Sequence, residues 1–401
     1  MAGSIDVAVI GGGIIGTATA GFLAESGARV VLYEREALAA GASGRNSGVV
    51  QHPFDLDLVP LYEETLRIYR WVGAEIGSDV VALDRPSPGL LLASHHPGVV
   101  RALTAQLATT HPTLAPMTLE GDALRALEPS IAPGVSACRL EMGYPVIPSA
   151  PTFAFATIAE RRGVAIRLGR AARPSIRAGR CEGVEVDGRL EPAGVVVVAA
   201  GPWAPELVDP TGAWRPIRPV WGVVVETLLR NRPGHSIEEA EMDEALGTGD
   251  LAAEAGVGAA GVGAAGEPEP EFSLITAGGV SAVGSTFLEA EPDPKAWTER
   301  ILRRGTTFVP ALLEAPIRDV HACARPVALD GRPLVGAIPW VERLFVAAGH
   351  GPWGISTGPA SARQVADLVL GHDAAVQVAF DPGRFGTPGS PPAAAPRIVA
   401  A

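Results

Sequence analysis

Lysine is almost absent from this chain of 401 residues: Lys295 is the only one, so basic character rests on arginine. Lys and Arg together number 32 against 44 Asp and Glu, a net charge of −12. Nucleic acid is held by a surplus of basic residues that displaces counterions, so this balance excludes it as the main ligand. Cysteine is scarce too. Cys138, Cys181 and Cys323 are odd in number, widely spaced and without a CxxC pair, which excludes a disulfide framework or a zinc site and suits a reducing compartment. No apolar run approaches the roughly 18 residues that a membrane helix needs. The start, MAGSIDVAVI, lacks the basic residues and long apolar core of a signal peptide. A cytoplasmic protein without a transmembrane segment is expected, and its oligomeric state is left open. Hydrophobic residues make up 47% of the chain, too many for intrinsic disorder, while 48 Gly and 36 Pro imply many turns.

The most informative segment comes first. Residues 6–10 (DVAVI) form a short apolar run suited to a buried parallel strand. It leads into Gly11-Gly-Gly13-Ile14-Ile15-Gly16, a GxGxxG pattern, and residues 17–26 then read as a helix ended by Gly27. A second strand is expected at 29–33, followed by Glu34 and Arg35. Each part has a physical job. Gly11 permits a tight turn, Gly13 lets the backbone approach a pyrophosphate, and Gly16 allows close helix–strand packing. The helix N-terminus offers N–H groups and partial positive charge to that pyrophosphate. Glu34 can accept from the hydroxyls of an adenosine ribose. A dinucleotide site follows, with NAD and FAD both open at this point.

Three further segments bear on that choice. They are Gly41-Ala-Ser43-Gly-Arg45-Asn46-Ser47-Gly48, the run VVVVAAGPWAPEL at 195–207 with Gly201 and Trp203, and the pair 325–336 (RPVALDGRPLVG) and 348–358 (AGHGPWGISTG). Together they resemble the D-amino-acid-oxidase-like superfamily of FAD-dependent oxidoreductases, in its glycine oxidase, sarcosine oxidase and D-amino acid dehydrogenase group. The resemblance implies an α/β fold in which a Rossmann-like FAD-binding domain is interleaved with an α+β substrate domain on a mostly antiparallel sheet. It implies FAD as cofactor, with Ser43, Arg45, Asn46 and Ser47 running past the pyrophosphate and Ala172 near the adenine. It also sets the loop Gly349-His350-Gly351-Pro352-Trp353-Gly354-Ile355-Ser356 beside the flavin ring. Three glycines let that loop press its backbone on a flat ring, and the helix expected from Ser356 points partial positive charge at the edge that gains charge on reduction.

On the substrate side the family pattern assigns Arg325, immediately before Pro326, to the substrate carboxylate. A guanidinium fork suits that task, as it binds a carboxylate through two parallel hydrogen bonds. His350 and Trp353 are further candidates around the reacting centre. The reaction expected is hydride transfer from the α-carbon of an amino acid or related secondary amine, giving an imine that hydrolyses. The electron acceptor would be O2 or a carrier such as a quinone. Oxidation of a 2-hydroxy acid is the alternative, but relatives of that branch carry a histidine where Gln51 stands, and His52 follows one residue late. In an extended segment, that shift points the ring to the opposite face. A flavoprotein subunit of a multi-subunit dehydrogenase is a third reading. Cys323 falls where some relatives attach their flavin covalently, yet the Arg-Pro pattern after it is that of members with non-covalent FAD, which is the expectation here. None of the four tyrosines falls in 272–289, where several relatives place a substrate tyrosine.

The FAD-binding domain is expected to take 1–85, 140–212 and 320–372, and the substrate domain 86–139 and 213–319. An insertion at 231–271 holds an Ala/Gly-rich run, and ten acidic residues with no Lys or Arg lie between 238 and 271. It reads as an acidic surface segment, leaving the rest of the chain near neutrality. The Pro- and Gly-rich end, 381–401, reads as a flexible tail.

Overall fold

The computed structural model describes residues 5–77, 80–240, 268–372 and 376–389. Two eight-stranded sheets organise them. In the first, Leu334–Ala337, Leu344–Ala348, Arg189–Val198, Ile5–Ile10, Val30–Tyr33 and Ala165–Arg167 lie side by side in that order. All pairs are parallel except the edge pair Leu334–Ala337 with Leu344–Ala348. An antiparallel extension, Ala172–Arg177 and Arg180–Val186, pairs with the start of Arg189–Val198. The central strand is apolar on both faces because both are covered. Val7 and Val9 face the helices Ile14–Glu25, Val59–Ile76, Ala150–Arg161 and Gly354–Val369, while Ala8 and Ile10 join a second core with Val196, Val198 and Trp214.

The second sheet runs Ile317–Ala328, Ile217–Thr227, Val280–Gly284, Ser273–Ala277, Ser236–Glu239, Leu90–Ser94, Ser136–Leu140 and Met117–Leu119. Every pairing is antiparallel except Ser236–Glu239 with Leu90–Ser94. Here period-two alternation decides which side is which. Val223, Val225, Val283, Leu274 and Ile237 face a core that includes Ile301 and Phe308 of the helix Pro294–Phe308. Gly278 and Gly279, both at positive φ, make the turn between Ser273–Ala277 and Val280–Gly284. The α/β class and the largely antiparallel second sheet are as the sequence implied.

Three expectations need correction. Residues 320–328 were grouped with the FAD-binding segments, but they belong to the strand Ile317–Ala328, which pairs along its length with Ile217–Thr227 in the second sheet. The acidic segment is not all surface. Glu238 and Glu239 lie in the strand Ser236–Glu239 and are buried, as is Glu271. Glu239 accepts from Phe272 N–H at 2.9 Å and pairs with Arg304, so the fold consumes part of the charge that read as solvating. The tail does not begin at 381. Arg384 forms a bidentate bridge to Asp330, with Nε donating to Oδ2 at 2.7 Å and an η-nitrogen donating to Oδ1 at 3.0 Å, and Pro382 is buried. The Ala/Gly-rich run at 252–266 and residues 390–401 fall outside the described residues.

Candidate active site

A single continuous cavity of about 860 Å³ runs from the glycine-rich turn of the first sheet to the face of the second. At one end, Gly11 sits at φ +118°, a conformation that only glycine adopts without strain, and a β-carbon there would collide with the Ala199 carbonyl. A β-carbon on Gly16 would collide with the Gly11 carbonyl, so the helix Ile14–Glu25 starts hard against the turn. Gly16 therefore acts through packing and does not line the cavity, whereas Gly11, Gly13, Ile14 and Ile15 do. Gly13 is the N-cap and brings no side chain to cap the helix, which leaves that end of the dipole facing the cavity. Ser43 Oγ accepts from Ile14 N–H at 3.0 Å and fixes the next loop over the turn.

Glu34 is set at the end of its strand by two backbone donors, Gly12 N–H at 2.7 Å on one oxygen and Glu36 N–H at 2.8 Å on the other. Arg35 stacks over the Trp203 ring at 4.1 Å, closing that end with Ala172 and Gly201 also on the wall. Asn46 spends its side chain on its own loop. Its amide donates to the carbonyls of Ala42 and Ser43, and its oxygen accepts from Gly48 N–H at 2.8 Å. Arg45 and Ser47 line the cavity, with Arg45 exposed.

The other end gathers residues from four parts of the chain. His350, Gly351, Pro352, Trp353, Gly354, Ile355 and Ser356 all border the cavity. Gly349 does not: a β-carbon there would press on Leu334 and Ile217, so its positive φ serves a turn packed on the core. His350 is buried, with Nε2 2.9 Å from Ser361 Oγ and Nδ1 unpartnered, and burial pushes its pKa down to about 3. A neutral imidazole results. Trp353 belongs to the helix-side core and meets Phe54 edge-on.

Arg325 reaches across the second sheet. It donates to the Thr286 carbonyl at 2.9 Å and to Ser285 Oγ, and its guanidinium lies 4.7 Å from the centre of the Phe287 ring. Gly222 on the neighbouring strand makes this possible, since a β-carbon there would overlap the guanidinium. Cys323, two residues earlier on the same face, also borders the cavity; it is buried, which pushes its thiol pKa up and disfavours thiolate.

Gln51 and His52 part as the alternation required. Gln51 lines the cavity, while His52 packs against the rings of Tyr62 and His111, at 5.1 and 5.8 Å. Several residues escaped the sequence reading: Gly222, off the cavity but packed behind Arg325, and Glu238, Ser273, Ser285 and Phe287 on the cavity wall. Glu238 was hidden by its setting, because Glu238-Glu239 heads an acidic stretch and two adjacent acids read as surface. The strand-like Ser236-Ile237 before it was the available signal.

The cradle fits an extended dinucleotide. A glycine turn and a helix end stand where a pyrophosphate is held, a fixed carboxylate stands at the ribose end, and a long cavity continues beyond them. Among the described residues no group of His, Cys, Asp and Glu is arranged to hold a metal, and no helix is long and apolar enough to cross a membrane. In sequence the chain is similar to glycine oxidase of Bacillus licheniformis, 25% identical over 92% of this chain and 93% of that one. In structure it is similar to glycine oxidase of Bacillus cereus, with a TM-score of 0.75, 24% identity, and 92% and 95% of the two chains covered. It is likewise similar to iminodiacetate oxidase of a Chelativorans species, with a TM-score of 0.77, 20% identity, and 94% and 98% covered. The family of FAD dependent oxidoreductases designated DAO matches residues 6–368, and the chain belongs to that family.

Proposed function

We propose that the protein oxidises the α-carbon–nitrogen bond of an amino acid or related secondary amine, using FAD held non-covalently. The observation that carries this reading is Arg325: a braced guanidinium bordering the same cavity as the dinucleotide cradle. A carboxylate paired with that fork has its α-carbon directed along the cavity, and positioning of this kind is a large part of what such an enzyme contributes. When bound, FAD supplies the two-electron acceptor. Gly13, Ile14, Ser43, Glu34 and the segment 351–356 are the residues that would hold it. The imine product needs only water to become a keto acid and an amine. The similar proteins named glycine oxidase and iminodiacetate oxidase support an amine substrate. The 2-hydroxy acid alternative loses support because an alcohol must be deprotonated, and His52, its candidate base, packs away from the cavity.

The test is anaerobic reduction of the holoenzyme with D-amino acids, N-methyl amino acids and 2-hydroxy acids. Bleaching of the flavin by at least one amine, and by none of the hydroxy acids, is expected; bleaching by hydroxy acids alone would overturn the reading. Peroxide release on readmitting air then distinguishes O2 from a carrier as acceptor.

A further inference from the structure

Among the described residues, the strands of the second sheet bring one acid, Glu238, to the cavity, and the register shows how it lies relative to Arg325. Glu238 pairs with Ser273, which pairs with Gly284. Ser285, the next residue, receives a hydrogen bond from Arg325. Glu238 is thus two strands from the residue that anchors the guanidinium, about 10 Å at the usual strand spacing of about 4.8 Å. A carboxylate and an amine on one α-carbon, each with a hydrogen bond of about 2.9 Å beyond it, span roughly 8 Å.

Two observations mark this spot as built for a ligand. Glu238 is 8% exposed and borders the cavity, yet among the described residues its only hydrogen bond comes from Gln51 Nε2 at 3.3 Å, a long contact for a buried carboxylate. Gln51 is 5% exposed, borders the same cavity, and has a side-chain oxygen with no partner. Its backbone N–H donates to Ser356 Oγ at 2.9 Å, so the residue is tied to the helix Gly354–Val369 rather than adrift. A buried amide oxygen with no partner, beside a carboxylate on the same cavity held by one long hydrogen bond, calls for a donor from outside the chain, since leaving the oxygen unmet is costly.

We propose that Glu238 and Gln51 form the amine-binding pair of the active site, with Glu238 as the base that takes the ammonium proton. This deepens the amine-oxidation reading and rests on it. The substrate class is an α-amino acid held as a zwitterion, its carboxylate on Arg325 and its nitrogen on Glu238 and the Gln51 oxygen. The step balances simply. An N–H bond of the ammonium breaks and an O–H bond forms on Glu238, giving a neutral amine and a neutral acid; the freed nitrogen lone pair then forms the C=N bond as the α-hydrogen leaves with its electron pair, for which bound FAD would be the two-electron acceptor. Burial holds the Glu238 carboxyl up at about 7, well suited to exchanging a proton with an amine near neutrality. The strands on either side set Leu92 and Ser273 beside it, neither of which titrates in this range. Other titratable side chains bordering the cavity near this face are Arg325, Cys323, His350, Arg45 and Glu291. Burial keeps His350 and Cys323 neutral around pH 7, so of these buried groups Glu238 is the one placed to change there.

The test uses holoenzyme and two ligands that are not oxidised: acetate, which has no amine, and 2-aminoisobutyrate, which has no α-hydrogen. Binding is followed by the flavin absorption spectrum. In Glu238→Gln, 2-aminoisobutyrate should bind at least about tenfold more weakly while acetate stays within about twofold; Gln51→Leu should show the same selectivity to a lesser degree. With an amine that bleaches the wild type, the reduction rate of Glu238→Gln should fall about 30-fold near pH 7 and recover towards about pH 10, where the amine loses its own proton in solution. Equal weakening of both ligands, or an unchanged pH profile, overturns the proposal while wild-type bleaching leaves the amine reading standing. If no amine bleaches or binds the wild type, both fall together.

Discussion

His350 shows how burial sets chemistry at a single residue. Its ring is enclosed, one nitrogen meets Ser361 and the other has no partner, so protonation within the fold is strongly disfavoured. It is thus no proton carrier near neutrality, and its role beside the cavity is that of a neutral, fixed ring. The linkage has a definite sign. The folded pKa, about 3, lies below the ordinary histidine value of about 6.5, so as pH falls the unfolded chain takes the proton first and stability is lost from about pH 6.5 downward. Between about pH 7 and pH 5 this one residue should remove about 2 kcal/mol. A His350→Gln variant should therefore lose less of its thermal midpoint than wild type over that interval in a melting series. Equal losses would mean that the ring is protonated inside the fold. Cys323 makes the complementary case: a buried, protonated thiol is a poor nucleophile, so denatured protein should show its unmodified mass with FAD released. A mass increase equal to the flavin would show attachment instead.

At the scale of elements, strands position the functional groups and glycines make room for them. The strand Ile217–Thr227 holds Gly222 opposite Cys323, and Arg325 folds across it towards Ser285 and Thr286. Gly222→Ala would put a methyl group into the guanidinium, the movable end of a long side chain. The fold should tolerate this while Arg325 swings away, raising KM for the carboxylate substrate by about 10- to 100-fold, with melting temperature and flavin content near wild type. Steady-state kinetics beside a melting curve would check it, and unchanged KM would show that Arg325 does not hold the substrate. Gly16 differs because its neighbour is backbone. A larger residue there has nowhere to go, and the turn itself would have to open.

Across the whole molecule, the cavity joins two sheets with different rules. The parallel sheet, covered on both faces, delivers a turn and a helix end; the largely antiparallel sheet, with one face on its own core, turns part of the other towards the cavity. The nucleotide end was legible in the sequence because its determinants are local. The turn Gly11–Gly16, its flanking strands and Glu34 lie within one stretch of chain, and the structure assembles them as the spacing implies. The site residues of the second sheet were less legible, because a side chain's face depends on which strands pair and in what register. Glu238 could not be told from Glu239 by composition. Pairing with Ser273 puts one on the cavity, and the other meets Phe272 N–H and Arg304. Short-range patterns of glycine and apolar residues were thus enough to locate the glycine turn, its flanking strands and Glu34, while the resemblance carried by RPVALDGRP singled out Arg325 and implied the α/β class. That Gln51 and Glu238, 187 positions apart, meet on one cavity is settled in the folded chain alone, because long-range strand order and register exist nowhere else.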